Sequence, residues 1–483
     1  MNLDYTPQRF QELVEYAGRI VSRFYGRAEE RKVFPGKTPA EVQSLFDEPL
    51  PEQGTDPGNL LEIVERDVFE TSTLNIGPHF YGYITGGGNQ AAILGEMIKA
   101  ALNQNNLKWH SSPASTELEK LAVRWVAEFV GYPTECAGVL LGGGSVANFE
   151  SLAVARKVKA PAGISEVGMY NAPPMTIYVS EEGHSSFDKA VDMLGIGKRY
   201  LRKIPVDDRF RIDPVQLEER IVADRKAGLK PICAIGIAGT TNTGAVDDLQ
   251  ALAEVCRKHD LWFHVDAAYG GPAAALEGTG AMFRGMAQAD SLVVNPHKWL
   301  YVPFGAACVL VRNGEQLRRT FSAIPDYLKS DEGTAGDGGG GGRTDLMEYN
   351  LPLTKDFKAL KVWMTLKAYG ARRLREMIRA DIDKAGYLAA RIDADPRFER
   401  MAPAPLSIVC FRYLAGGRTG PELDQLNNRI IREIEGDGRI FLTGTRIGDR
   451  TALRACIINH RTDETHLDRM LEVIAEIGGR TAG

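Results

Sequence analysis

The chain has 483 residues, 44% hydrophobic and 25% charged, with a formal net charge of -5. That length and balance describe a soluble globular protein with a large core and two or three structural regions. The acidic balance gives no general attraction for nucleic acid or an anionic membrane, and no apolar run reaches the roughly 18 residues of a membrane span.

The N-terminus, Met1 to Tyr5, is polar and has no secretory core, so a cytoplasmic location is expected. Cys136, Cys233, Cys256, Cys308, Cys410 and Cys456 are scattered, form no CxxC pair and read as reduced packing residues. No metal site is expected. In chain order, Phe10, Leu13, Val14, Ala17, Ile20, Val21 and Phe24 recur at helical spacing. Residues 35–60 carry repeated proline, glycine and acidic residues and predict an irregular connection. The first region, residues 1–84, is too small for its own core, so its helix should cover another domain or subunit.

From about Thr85 to Gly370 the pattern becomes short apolar runs alternating with helical stretches. The runs at 175–179, 232–237 and 261–265 are rich in Val and Ile, as strands buried on both faces require. Helical stretches at 115–129 and 249–258 between such runs predict a mostly parallel α/β sheet over residues 85–370. Ligands of such sheets gather beyond the C-terminal ends of the strands. Residues 358–394 read as a long helical connection that can include a break. A smaller α/β region over 371–483 follows from the runs at 406–413, 423–434 and 451–458. Gly338 to Gly342 are five consecutive glycines and predict a flexible loop.

Several of the informative polar residues follow apolar runs. Gly142-Gly143-Gly144-Ser145 lies between Val139-Leu140-Leu141 and a helical segment, where backbone N–H groups and a hydroxyl can receive phosphate. It lacks the Walker A ending and the dinucleotide-binding glycine spacing, and an ordinary strand-to-helix turn explains it equally well. His184 follows the run ending at Ser180, and Thr240-Thr241 follow the run that starts near Ile232. Asp266 ends His264-Val265-Asp266, and Lys298 ends Asn295-Pro296-His297-Lys298. Singly, each has a plain structural reading: a cap, a core histidine, a surface lysine. Together they supply a phosphate cradle, an acid for a ring nitrogen, a ring neighbour and a reactive amine.

His184-Ser185-Ser186, His264-Val-Asp266-Ala-Ala-Tyr269, Asn295-Pro-His-Lys298-Trp299 and Ser112-Pro-Ala followed by Thr116-Glu-Leu-Glu119 occur in this order. In these blocks the chain resembles the group II pyridoxal-phosphate-dependent amino acid decarboxylases, closest to the aromatic L-amino acid decarboxylase branch. The resemblance runs from the N-terminal helix to about residue 475. It implies an α/β fold-type I architecture and a homodimer with active sites near the interface. It also implies that Lys298 tethers pyridoxal 5'-phosphate, Asp266 pairs with the ring nitrogen and His184 stacks on the ring. Gly144, Ser145 and Asn295 align with phosphate-binding positions, Thr241 with a cofactor contact, and His297 borders the lysine. Tyr327 is assigned proton delivery to the substrate's α-carbon. His79, Phe80, Asn105 and Leu107 align with the substrate pocket, where Phe80 favours an aromatic side chain and the more polar His79 and Asn105 depart from the aromatic branch. The expected reaction is decarboxylation of an L-amino acid, an aromatic one as the first choice, to its amine and carbon dioxide. The alternatives are an acidic amino acid decarboxylase, an aromatic aldehyde synthase, disfavoured by retention of His184 and Tyr327, and a noncatalytic scaffold.

Overall fold

The computed structural model describes residues 3–170, 172–323 and 343–482. They form two compact units: Met1–Tyr83 with Gly386–Met401 and Val409–Gly483, and Ile84–Ala385 with Ala402–Ile408.

The first unit begins with the helix Pro7–Gly26, started by Thr6, whose side chain accepts from Arg9 N–H, and by Pro7 in the first turn. It buries Leu13 and Ile20 but leaves Phe10 59% exposed, so the covered stripe is narrower than the apolar spacing suggested. The connection expected to be irregular contains two short helices, Pro39–Ser44 and Pro57–Ile63. Two of its prolines, Pro39 and Pro57, sit in the first helical turn, where no N–H is needed. Thr38 and Glu41 close a reciprocal capping box on one, and Asp56 caps the other through Gly58 N–H. The unit also carries a four-stranded sheet of order β10-β11-β9-β8, made of β8 (Phe398–Arg400), β9 (Ile408–Tyr413), β10 (Thr443–Ile447) and β11 (Arg450–Cys456).

The second unit is built on a seven-stranded sheet. Its strands are β1 (Ala137–Leu141), β2 (Met175–Ser180), β3 (Leu201–Ile204), β4 (Lys230–Ile237), β5 (Trp262–Asp266), β6 (Ser291–Val294) and β7 (Ala307–Val311). Their order is β1-β7-β6-β5-β4-β2-β3. β3, β2, β4, β5 and β6 pair in parallel, whereas β7 is antiparallel to both β6 and β1. Two reversals cancel, so β1 points the same way as β6. Every residue of β2, β5, β6 and β7 is buried, as expected of a sheet covered on both faces. The long helix Ala359–Ala394 is interrupted at Gly370, whose φ of 72° lies in the left-handed region that glycine enters without a Cβ penalty.

The Ser112–Glu119 block is explained by a buried polar knot. Asn106 Oδ1 accepts from Ser112 Oγ (3.3 Å), Ser115 Oγ (3.1 Å) and Thr116 Oγ1 (3.0 Å), while its amide nitrogen donates to Glu119 Oε2 (2.9 Å). Glu119 Oε1 accepts the Leu140 N–H of β1 at 2.9 Å and pairs with Lys355. Both charged side chains are buried, so each depends on the other for solvation. Lys355→Met should therefore destabilise the protein by roughly 3–5 kcal/mol in denaturant titration. Adding Glu119→Gln should recover part of that loss, because no unpaired charge then remains.

Candidate active site

Strands β1, β2, β4, β5 and β6 point the same way, and the chain leaves each at one edge of the sheet. A cavity of about 180 Å³ opens there. Its lining includes Gly144 and Ser145 after β1, His184 after β2, Thr241 after β4, Asp266 at the end of β5, and Asn295, His297 and Lys298 after β6. The eight residues singled out as cofactor positions thus share one cavity.

At one end, the helix Gly144–Lys159 starts from Gly143 with no side-chain cap, leaving its first N–H groups available for an anion. Asn295 is buried beside this turn, and its Oδ1 has no hydrogen-bond partner among the described residues. A Cβ on Gly144 would stand 2.6 Å from Asn295 Nδ2, so glycine is what lets the helix start this close.

Asp266 is buried, but each carboxylate oxygen has a donor: Oδ2 accepts from Asn148 Nδ2 at 3.0 Å and Oδ1 from Ala268 N–H at 3.1 Å. His184 Nδ1 accepts the Ser186 N–H at 3.1 Å and lies 2.8 Å from Ser186 Oγ. Burial lowers the His184 pKa; Asp266 pulls it up and Lys298 pushes it further down. Burial, and then the charge of Lys298, hold His297 at about 4, so it is neutral near pH 7. Glu182, another lining residue, has its carboxyl pKa raised by burial.

The turn carrying Lys298 is braced from behind. Trp299 Nε1 and Tyr301 OH both donate to Asp381 Oδ2, at 2.9 and 2.6 Å. The Trp299 ring also stacks on Tyr269, with centroids 5.0 Å apart. Tyr269 follows Asp266 by three residues, so this stack ties the lysine turn to the acid's strand. Thr240, adjacent to Thr241, is instead a turn residue, its Oγ1 accepting from Ala245 N–H at 3.1 Å.

Residues 39–414 match the pyridoxal-dependent decarboxylase conserved domain. The chain is 33% identical over 437 residues to an aromatic-L-amino-acid decarboxylase of Bacillus atrophaeus, covering 90% of this chain and 88% of that one. The chain belongs to the pyridoxal-dependent decarboxylase family. Its fold is similar to that of Oryza sativa TDC solved with PLP and tryptamine, with a TM-score of 0.93, 28% identity and full coverage of both chains. It is also similar to Rhodiola rosea 4-hydroxyphenylacetaldehyde synthase, with a TM-score of 0.88, 26% identity and 99% of each chain covered. The protein is a carboxy-lyase, and pyridoxal 5'-phosphate is its cofactor.

The decarboxylase cavity fits that cofactor. An uncapped helix start, a hydroxyl and a buried amide stand where a phosphate needs donors, and an acid and an amine line the same space. Asn148 was missed by sequence reading, although its position four residues after Gly144 places it on the same helix face. The proposed substrate-pocket residues divide between the units. Phe80 is buried in the first, in a cluster with Ala28, Val33 and Leu74, and stacks on Phe441 at 5.1 Å. His79, also there, packs edge-on to His466, and burial holds it at about 4. In the second, Asn105 Oδ1 accepts the Lys355 N–H at 2.9 Å and the Leu107 carbonyl accepts from Met347 N–H at 3.0 Å. Tyr327 and Gly338 to Gly342 lie outside the described residues.

Gly144→Ala tests the phosphate end directly. The variant should fold with an unchanged far-UV spectrum but bind pyridoxal phosphate about 10-fold more weakly in equilibrium titration, because the new methyl displaces Asn295. Unchanged affinity would remove this turn from the phosphate site.

Proposed function

We propose that the protein decarboxylates an L-amino acid with an aromatic side chain, releasing its amine and carbon dioxide. The observation that carries this is the single cavity lined by Lys298, Asp266, His184 and the Gly144–Ser145 turn. The aromatic preference draws on the similarity to proteins named for aromatic substrates or amines. When bound, pyridoxal phosphate supplies an electron sink for the pair left on the α-carbon as the carboxylate departs. Lys298 provides the tethering amine, and Gly144, Ser145 and Asn295 hold the phosphate. Asp266, with both oxygens already hydrogen-bonded, is held in place for the ring nitrogen. His184 covers the ring, and Thr241 and His297 border the cofactor and its lysine. His79, Phe80, Asn105 and Leu107 are assigned to side-chain recognition, and Tyr327 to returning a proton to the α-carbon.

The similarity to an aldehyde synthase supports a second reading, in which oxygen is consumed and aldehyde, carbon dioxide and ammonia appear. Retention of His184 and Tyr327 favours the amine. Incubation with pooled L-amino acids, with amine, aldehyde, carbon dioxide and oxygen followed separately, decides between them. Amine and carbon dioxide in equal amounts without oxygen uptake are expected, and Lys298→Ala should abolish both. Tyr327→Phe should keep the cofactor and lose roughly 100-fold in amine formation. Aldehyde with oxygen uptake in the parent enzyme would establish the second reading, and no turnover would sink both.

A homodimer is also proposed. The helix Gln90–Leu102 leaves Leu94, Met97, Ile98 and Leu102 each about half exposed, an apolar face that a second copy would cover. Light scattering should give about twice the 52.9 kDa chain mass; a monomer mass would remove the proposal.

A further inference from the structure

Behind Asp266 runs a chain of side-chain hydrogen bonds whose direction is set at the carboxylate end. At the far end, the Trp262 indole N–H, which can only donate, lies 2.8 Å from Ser291 Oγ. Ser291 Oγ is 2.8 Å from His264 Nδ1, and His264 Nε2 is 3.1 Å from Asn148 Oδ1. At the near end, Asn148 Nδ2 lies 3.0 Å from the Asp266 carboxylate, which can only accept. One arrangement satisfies every link: indole to serine, serine to Nδ1, Nε2 to the amide oxygen, amide nitrogen to the carboxylate. Turning the Asn148 amide over would set its oxygen against the Asp266 carboxylate, leaving that pair without a hydrogen between them.

The second amide hydrogen of Asn148 serves Ser186 Oγ, 3.3 Å away. Ser186 can then direct its own hydroxyl hydrogen to His184 Nδ1, which already accepts the Ser186 backbone N–H. The backbone N–H by itself makes Nδ1 an acceptor, so the neutral His184 ring carries its proton on Nε2, and the hydroxyl adds a second contact there. His264 is fully buried and packs edge-on against Phe187, with centroids 6.2 Å apart. Burial holds it neutral, with a pKa of about 4 despite the opposing pull of Asp266 and the Ser291 backbone. The charges acting on His184 are Asp266, which raises its pKa, and Lys298, Lys189 and Lys203, which lower it.

We propose that Asn148, seated between Asp266 and the Ser291–His264 pair, is a positioning residue that fixes the donor facing Asp266 and, through Ser186, steadies the hydroxyl beside His184. The proposal rests on the reading in which Asp266 meets the cofactor's ring nitrogen. One amide thus touches both the acid at the ring nitrogen and the serine that holds the imidazole assigned to the ring's face. Neither Asn148 nor His264 is a catalytic residue in this scheme. A disordered Asn148 would leave Asp266 with one donor fewer and its carboxylate free to turn.

The test compares Asn148→Asp, Asn148→Leu, His264→Gln, His264→Leu and Asp266→Asn. For each, pyridoxal phosphate affinity, the pH midpoint of the reconstituted protein's visible absorbance, kcat and KM, and the melting temperature without cofactor are measured. Asn148→Asp keeps the shape and reverses the polarity; it should bind the cofactor about 10-fold more weakly, shift the pH midpoint and lower kcat more than KM changes. Asn148→Leu should do the same. His264→Gln, which retains a donor near the Nε2 position, should stay within about threefold of the parent, while His264→Leu should match Asn148→Leu. Parent-like affinity and pH midpoint in both Asn148 variants, whatever their melting temperatures, would overturn the proposal, as would equal defects in His264→Gln and His264→Leu. Asp266→Asn separates the two levels: if it leaves affinity and absorbance unchanged, the underlying reading of Asp266 fails. If it abolishes them while Asn148→Asp is silent, only the relay fails.

Discussion

Parallel strand direction is the constraint on which the site depends. A parallel sheet releases all its chains at one edge, so residues far apart in sequence meet there without any local signal linking them. Gly144, His184, Thr241, Asp266 and Lys298 each follow or end a strand that points the same way. The position of β7 matters most. Being antiparallel to both neighbours, it lets β1 lie beyond β6 and still deliver the glycine turn to the shared edge.

Burial then requires each polar group near the site to find a partner or to stay neutral. Asp266 sits at the buried end of β5 with a donor on each oxygen, and Glu119 is buried against Lys355. The imidazoles nearby are treated in the opposite way: His264 and His297 are held at about 4 by burial, so they act as hydrogen-bonding groups near neutral pH. Such an arrangement gives the cavity a lysine amine and an acid, with the neutral His297 ring beside them. Rigidity comes from behind: Asp381 gathers Trp299 and Tyr301, and the Trp299–Tyr269 stack joins the lysine turn to the acid's turn.

The alternation of short Val- and Ile-rich runs with helical stretches was enough to read the parallel sheet, because buried strands leave no polar face to disguise them. The irregular reading of residues 35–60 holds for most of that span but missed two short helices, for a local reason. Proline breaks a helix in its interior but suits its first turn, and Thr38–Glu41 and Asp56 supply the caps that make short helices there. Asn148 went unnoticed because an asparagine inside a helix has no chemical meaning until its neighbours are known. Thr240 and Thr241 show the same limit: adjacent and chemically alike, one closes a turn and the other lines the cavity.

The sequence by itself determined the strand and helix periods, the family to which the ordered motifs belong, and the residue types at the strand ends. Those are properties of chain spacing and chemistry, visible one segment at a time. Only the tertiary structure decided which residues face the common cavity and which way each hydrogen bond runs. The Asn148 amide is turned by Asp266 and held from behind by His264 and Ser291, and those groups become neighbours only when β5, β6 and the helix Gly144–Lys159 pack together.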